Sequence, residues 1–333
     1  MPRPYYLLSN SRLRRKGNTL YIESGDKKKP IPVEDVECIY SFGEMDFNTK
    51  LITFLSQNHI PVHFFNYYGY YTGTFSPREY LNSGYLLVKQ ASHYISKIKR
   101  VIIAREFISG ASFNILKNLR YYNSRGRDLS NSIEEIEQLY ELIDIQNFID
   151  SLMAIEGNIR DTYYRTWETI LNPQEDSGFE FKKRVRQPPD NAVNALISFC
   201  NSLVYTAVLG EIYQTQLSPL ISYLHEPGER RFSLSLDISE IFKPIFADRI
   251  IFKLVNNGEI QSKHFERNMN MCLLNDEGRK IVLKEFDEKM KTTIRHRKLG
   301  RNISYKRLIR LECYRLMKHL LGEKKYTAFK IWW

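Results

Sequence analysis

The sequence contains few cysteines and none of the common motifs of nucleotide or ester hydrolysis. Its four cysteines, at positions 38, 200, 272 and 313, are far apart and form no C-x-x-C pair. This spacing predicts neither a structural zinc site nor a disulfide framework, and reduced thiols are expected. The chain also has no G-x-G-x-x-G, Walker A, G-x-S-x-G or H-E-x-x-H motif. Nucleotide hydrolysis and acyl transfer are therefore disfavoured.

Long, purely apolar runs are absent as well. The N-terminal apolar stretch is too short for a signal peptide. Residues 191–210 contain no charged side chain, but their polar side chains include Asn191, Asn194, Ser198, Asn201 and Ser202. So many polar groups do not suit a simple lipid-facing helix. We predict a buried central helix here and a cytoplasmic protein with no membrane partner.

Positive charge is abundant. The 333 residues include 49 Lys and Arg against 38 Asp and Glu, a net charge of +11. Such a balance favours a polyanionic partner, with nucleic acid first and an anionic membrane surface second. The excess is local, because residues 289–330 contain 14 basic and two acidic residues. Helical periodicity there predicts cations along the sides of helices. An ordinary solvated face is the alternative, although such faces usually mix the two signs.

Strand patterns occupy the first part of the sequence and helical patterns the rest. Strands are predicted at residues 5–8, 19–23, 36–42, 60–66 and 70–75, with a helix at 48–57. From Ala91 onward, apolar residues recur at steps of three, four and seven, which indicates amphipathic helices. We therefore predict an α+β fold. An antiparallel β-sandwich-like domain would span residues 1–85, and a mostly α-helical domain would span 86–333.

One carboxylate, Glu156, lies at an apolar position of a predicted helix. Within residues 149–163, it shares a face with apolar residues at steps of three and four. A carboxylate that faces a core must be paired with a cation or bound to a metal ion. Arg160, one turn later, is the alternative to a metal. The adjacent Gly157 would allow a bulky ligand to approach.

A second pattern combines an imidazole with two carboxylates. His225 precedes a predicted helix on which Asp237 and Glu240 are three residues apart, and so face the same side. These ligand types suit Mg²⁺ or Mn²⁺ better than structural zinc. Taken alone, the pattern arises often by chance.

With Glu156 and the basic segment, however, this pattern predicts metal-dependent phosphodiester chemistry in which cations hold the DNA backbone. The candidate DNA contacts are Arg184, Arg186, Arg230, Arg231, Lys243, Arg295, Arg297, Lys298 and Arg301.

Several ordered motifs resemble the family of CRISPR-associated adaptation integrases. They are RPYYLLSNSRLRRKGNTLYIE near the start, MAIEGNIRDTYY, RQPPDNAVNALISF, LHEP followed by SLSLDISEIFKP, and R-x-R-K with IRLE near the end. The resemblance covers essentially the whole chain. It implies metal ligands at Glu156, His225 and Glu240, with Asp237 in a supporting role. This chain has Lys243 where the family often has arginine, which keeps the charge but removes a bidentate phosphate interaction.

The resemblance also implies an activity and partners. The activity is the transfer of a DNA 3′-hydroxyl to a phosphodiester, with double-stranded and branched DNA as substrates and Mg²⁺ or Mn²⁺ as cofactor. The partners are a second copy of the chain, joined through the N-terminal domain, and a small ferredoxin-fold protein in a heterohexamer-like complex. Two alternatives remain at this point: a branched-DNA repair nuclease that only hydrolyses, and a DNA-binding scaffold in which an arginine neutralises Glu156.

Overall fold

The chain forms two compact units, residues 1–80 and 81–333. The computed structural model describes residues 2–25, 27–77, 81, 83–171, 178–186, 188–229, 231–268, 271–297 and 299–332. Two of the predicted DNA contacts, Arg230 and Lys298, lie outside the described residues. The domain boundary predicted at residue 85 falls within the first turn of a helix of the second unit, Gly84–Ile95.

The first unit consists mainly of strands. In chain order they are β1 (Arg3–Leu7), β2 (Ser11–Lys16), β3 (Thr19–Ser24), β4 (Lys27–Pro32), β5 (Val36–Ser41), β6 (Met45–Asp46), β7 (Val62–Phe65) and β8 (Tyr71–Phe75). One sheet has the order β1-β5-β7-β8 and the other β4-β3-β2-β6. Helix α1, Thr49–Gln57, lies between β6 and β7 in sequence, and the side chain of Asn48 caps it by accepting from the Leu51 N–H.

The α+β fold class is confirmed, but the strand directions are mixed rather than purely antiparallel. β5 runs parallel to both β1 and β7, whereas β8 is antiparallel to β7. Parallel neighbours need a crossover connection, and α1 supplies the one between β5 and β7. Both sheets and α1 contribute to one apolar core, which includes Leu13, Leu20, Ile39, Phe54 and Val62.

The second unit is mostly helical. Its helices are α2 (Gly84–Ile95), α3 (Lys97–Ser124), α4 (Ser130–Glu141), α5 (Ile149–Arg165), α6 (Trp167–Leu171), α7 (Ala192–Ile212), α8 (Ser233–Phe242), α9 (Arg249–Asn256), α10 (Asp276–Lys291) and α11 (Tyr305–Leu320). Two short hairpins join β9 (Phe265–Asn268) to β10 (Met271–Leu274) and β11 (Thr293–Arg295) to β12 (Asn302–Ser304).

Helix α7 is the buried helix that the uncharged run predicts. By length and composition it could cross a membrane, but 78% of its most apolar window is buried inside the second unit. It packs against α8 and α11. A core helix of this kind passes the same apolarity test as a membrane span, because both are surrounded by apolar groups.

The basic C-terminal segment is only partly helical, which corrects one prediction. Helix α11 follows the expected periodicity, with Leu308 and Leu316 buried. Arg295, Arg297 and Arg301, however, lie on the β11–β12 hairpin and are exposed. The charges of these three residues therefore project from a hairpin and not from the side of a helix.

Candidate active site

Two helices of the second unit place carboxylates toward one another. α5 presents Glu156 next to its buried face, and the Glu156 side chain is 19% exposed. α8 is buried along almost its whole length, and Glu240 on it is only 6% exposed. Both residues are candidate metal ligands predicted from the sequence, and the structure brings them to the same cation.

That cation is the guanidinium of Arg160. Its Nε donates to Glu156 Oε1, and its Nη2 forms an ion pair with Glu240 Oε2. On the other side, Lys243 Nζ donates to Glu240 Oε1 at 2.6 Å. The pairing of Arg160 with Glu156 is the alternative that the helix spacing raised. The contact with Glu240 has no signal in the sequence, because the two residues are 80 positions apart and meet only in the folded chain.

The pKa values of Glu156 and Lys243 in this cluster are shifted from their ordinary values. Burial alone would raise the pKa of Glu156, but Arg160, Lys243 and His225 hold that pKa below its ordinary value. Burial, together with the charge of Arg160, lowers the pKa of Lys243 to about 7. Because Arg186 contributes to the latter shift, its charge acts on this cluster. Glu156 is therefore kept ionised in a mostly buried place.

His225 lies in the loop before α8 and is oriented by Asp237. The Asp237 side chain is fully buried, and its Oδ1 lies 2.8 Å from His225 Nδ1. Because Asp237 accepts three backbone N–H bonds, we assign it as the acceptor toward the imidazole too, so that Nδ1 donates and Nε2 carries the lone pair. In the part of the chain that the structure describes, no protein group bonds to Nε2.

Asp237 also fixes the backbone of this loop. Its carboxylate accepts from the N–H groups of Tyr223 at 2.6 Å, Leu224 at 2.9 Å and His225 at 3.0 Å. Arg100 on α3 adds a bond from Nε to the Tyr223 carbonyl at 2.8 Å. With every lone-pair direction used in this way, Asp237 supports the imidazole and is not itself exposed to a ligand.

The predicted DNA contacts fall into different environments. Arg184 is half-buried and bonds to Asn194 Oδ1 at 3.0 Å and Ser198 Oγ at 2.9 Å, so it ties the preceding loop to α7. Lys243 belongs to the carboxylate cluster, as described above. The exposed members are Arg186, Arg231, Arg295, Arg297 and Arg301.

A buried polar network that the sequence did not reveal adjoins this cluster. Asp248 ends a wide π-helical turn, Pro244–Asp248, and its N–H donates to the Lys243 carbonyl at 3.1 Å. Its Oδ2 accepts from Tyr163 on α5 at 3.0 Å. Asn118 on α3 donates to the Pro244 carbonyl at 2.8 Å. The Asp248 side chain belongs to a local A-D-R sequence without any periodic signal, so only the folded chain shows its place.

Comparison with known proteins identifies the family. A family model described as CRISPR associated protein Cas1 matches residues 5–288. The chain belongs to the Cas1 family. A CRISPR-associated endonuclease Cas1 from Fusobacterium nucleatum is 54% identical over 334 residues, which span 100% of this chain and 98% of that protein. The solved Cas1 protein from Thermotoga maritima matches with a TM-score of 0.85 at 43% identity, over 98% of this chain and 100% of the other.

Two more distant structures share the Cas1 fold. A casposase bound to integration product has a TM-score of 0.84 at 20% identity, over 98% of this chain and 93% of the other. A Cas6-RT-Cas1–Cas2 complex has a TM-score of 0.84 at 16% identity, over 100% of this chain and 36% of the other. At these identities the likeness concerns the fold. The Cas1 membership confirms the resemblance seen in the sequence and makes the chain a CRISPR-associated DNA endonuclease/integrase.

Proposed function

We propose that this chain joins DNA 3′-hydroxyl ends to a phosphodiester by Mg²⁺- or Mn²⁺-dependent transesterification, with water as the nucleophile in its endonuclease mode. The observation that supports this most is the convergence of Glu156 and Glu240 on one cation position. The charge of His225 acts on Glu156, and among the described residues no group bonds to His225 Nε2. One phosphodiester replaces another in such a step, so no nucleotide hydrolysis is needed.

The donor set suits a hard divalent ion. Two carboxylates contact different nitrogens of a single guanidinium, and Mg²⁺ and Mn²⁺ prefer oxygen ligands with at most a few imidazoles. Among the described residues, no three His, Cys, Asp or Glu side chains already form a metal-binding group. The ligands would be Glu156, Glu240 and His225 Nε2, and Arg160 stands between the two carboxylates.

Each residue has a distinct part in the proposed mechanism. When bound, the ion polarises the phosphoryl oxygens and stabilises the charge that develops on them. Asp237 fixes the tautomer and direction of His225, as carboxylates do for many metal-bound imidazoles. Lys243 donates a hydrogen bond to Glu240 Oε1 and so holds this carboxylate in place. Gly157 faces open space next to Glu156, so a DNA backbone is able to approach the carboxylate.

DNA binding would extend beyond this site. The exposed Arg186 and Arg231 flank the cluster in sequence, and Arg295, Arg297 and Arg301 form an exposed basic hairpin. Arg230 and Lys298, which the structure does not describe, remain candidates on sequence grounds. Such phosphate contacts position the duplex without reading its sequence. We expect double-stranded and branched DNA as substrates in the cytoplasm of a prokaryotic cell.

We further propose an assembly with two kinds of partner. The first unit, residues 1–80, would join a second copy of the chain. A small ferredoxin-fold protein would complete a heterohexamer-like complex. The Cas1–Cas2 pairing in the Cas6-RT-Cas1–Cas2 complex supports this proposal, because the match to that complex extends over the whole length of this chain.

The test is strand transfer on a labelled branched duplex with a free 3′-hydroxyl. Wild type, Glu156→Ala and the control Asp161→Ala are compared in Mn²⁺, Mg²⁺ and EDTA. Asp161 lies on the same helix with a side chain that is 74% exposed, so its removal should leave the joined product unchanged. Joined product that requires metal and Glu156 supports the proposal. Nicked product alone indicates a repair nuclease, and equal processing in EDTA contradicts any metal mechanism.

A further inference from the structure

Arg160 occupies the place between the two carboxylates that the proposed metal ion would need. Its side chain is only 15% exposed and contacts both Glu156 and Glu240. A guanidinium stays protonated even when buried. If a divalent ion takes the two carboxylates, Arg160 loses both partners and lies beside a second cation. An uncompensated buried charge of this kind is strongly unfavourable.

Asp248 offers the compensating charge. It is 6% exposed, and its charge and that of Arg160 act on each other. Tyr163 bonds to Oδ2, and among the described residues no hydrogen bond to Oδ1 occurs. Glu156, Arg160 and Tyr163 are spaced four and three residues apart on α5, so the tyrosine that holds Asp248 lies on the same side of the helix as Arg160.

The local chemistry indicates that Asp248 lacks a full counter-charge. Burial raises the pKa of its carboxyl to about 7, and Tyr163, Arg160, Lys243 and Arg249 offset this only in part. The π-helical turn that carries it is a rare arrangement that occurs often at functional sites. Lys243 cannot play the same part as Arg160, because it is paired with the other oxygen of Glu240.

We infer that Arg160 is a positioning residue that exchanges carboxylates: it holds Glu156 and Glu240 together before metal binds and pairs with Asp248 afterwards. The inference rests on the proposed metal site. It gives the metal-free enzyme a way to keep two buried carboxylates converged without mutual repulsion. It also gives the metal-bound enzyme a place for the displaced guanidinium.

This exchange predicts effects of opposite sign on metal affinity. Arg160→Gln removes the competitor and should tighten Mn²⁺ binding by about tenfold, whereas Asp248→Asn removes the second partner and should weaken it by about tenfold. In an Arg160→Gln background, Asp248→Asn should change the affinity less than about twofold, because residues that act through one contact are not additive. Arg160→Lys, which keeps the charge, should lie between wild type and Arg160→Gln.

The experiment is calorimetric titration of Mn²⁺ into the full chain at pH 8 without DNA, for wild type, the two single variants, the double variant and Arg160→Lys. Arg165→Gln is the control, since this arginine is on the same helix with its side chain 60% exposed. The exchange is supported if the single variants have opposite effects and Asp248→Asn no longer weakens Mn²⁺ binding in the Arg160→Gln background.

Three results would overturn the inference. Mn²⁺ binding no tighter than wild type in both Arg160→Gln and Arg160→Lys would show that the arginine does not compete. Equal weakening by Asp248→Asn in both backgrounds would reduce its role to a general electrostatic effect. Unchanged affinity in Asp248→Asn would remove its role as a partner. The Glu156→Ala variant distinguishes these results from failure of the proposed function. If it no longer binds Mn²⁺, the metal site exists, and any of the three results then counts against the exchange alone.

Discussion

Asp237→Asn is the substitution that best tests how the site is built. The Asp237 carboxylate accepts four hydrogen bonds, two on Oδ2 from the N–H groups of Tyr223 and Leu224 and two on Oδ1 from His225. An asparagine retains one acceptor oxygen, and its amide group would then face two donors. With the amide nitrogen at the Oδ2 position, the N–H groups of Tyr223 and Leu224 lose their acceptor. With it at the Oδ1 position, the His225 N–H loses its acceptor, and Nδ1 can only accept from the amide if the ring proton moves to Nε2.

The structure sets the size of the effect. Each donor left without a partner costs about 1–3 kcal/mol, so the variant, with one or two such donors, should lose about 1–6 kcal/mol of unfolding free energy. The imidazole of His225 also loses its orienting partner, and removal of such a partner commonly lowers metal affinity by about 10–100-fold. Glu240→Gln should behave differently, because it replaces a proposed ligand: Mn²⁺ binding should disappear rather than weaken.

Two assays check this prediction. Urea unfolding of the metal-free chain, followed by circular dichroism, reports the stability of the helical second unit. Calorimetric titration with Mn²⁺ reports the affinity. The control is Asp161→Asn, an exposed carboxylate on α5. Wild-type stability together with wild-type Mn²⁺ affinity in Asp237→Asn would refute the supporting role of Asp237, and complete loss of binding would instead make it a ligand.

Three other sets of substitutions probe the basic hairpin, Asp248 and the central helix. The triple change of Arg295, Arg297 and Arg301 to Gln should weaken DNA binding and reduce the slope of log affinity against log salt by about 0.9 for each phosphate that is no longer neutralised; Lys280→Gln with Lys284→Gln on α10 is the control, and an unchanged slope would exclude the hairpin. Asp248 has a folded pKa of about 7, raised from an unfolded value of about 3.9, so its contribution to stability is lost as pH rises from about 4 through 7. In EDTA, the difference in unfolding free energy between Asp248→Asn and the wild type should therefore shift by about 2–3 kcal/mol in favour of the variant between pH 5 and pH 8, as measured by urea unfolding. Parallel pH curves for the two proteins would contradict this. Leu196→Ala on α7, at a fully buried position, should cost about 2–5 kcal/mol, and an effect below about 1 kcal/mol in urea unfolding would contradict a core role for this helix.

The sequence predicts the fold well where the apolar pattern is simple. The long periodicity from Ala91 onward corresponds to α2 and α3, with a break at Ser96, whose side chain caps α3 by accepting from the Lys99 N–H. The apolar pattern does not predict strands β2 and β4. In β2, Leu13 is buried while Arg12, Arg14 and Lys16 are exposed. With so many charged residues and one buried apolar residue, the segment lacks the alternation of apolar and polar residues that predicts a strand. β4 contains two prolines and lies at the edge of its sheet, which is where proline is tolerated.

The chemistry of the site was accessible from the sequence for a different reason. Glu156 stands out because it interrupts an apolar face, and the family motifs mark His225, Asp237 and Glu240. The contacts that the sequence did not reveal are those between elements far apart in the chain. Arg160 reaches Glu240 across 80 residues, and Asp248 reaches Tyr163 across 85. No local pattern records such pairs, because the residues of each pair come together only when the chain folds.

Everything proposed for this site depends on one divalent ion held by Glu156, His225 and Glu240. The decisive experiment is anomalous scattering from crystals of the full chain soaked in Mn²⁺. One strong peak is expected, bonded to both carboxylates and to His225 Nε2, with Asp237 still bonded to Nδ1. A peak bonded elsewhere, or no peak while Arg160 remains between Glu156 and Glu240 at saturating Mn²⁺, would contradict the proposed metal site.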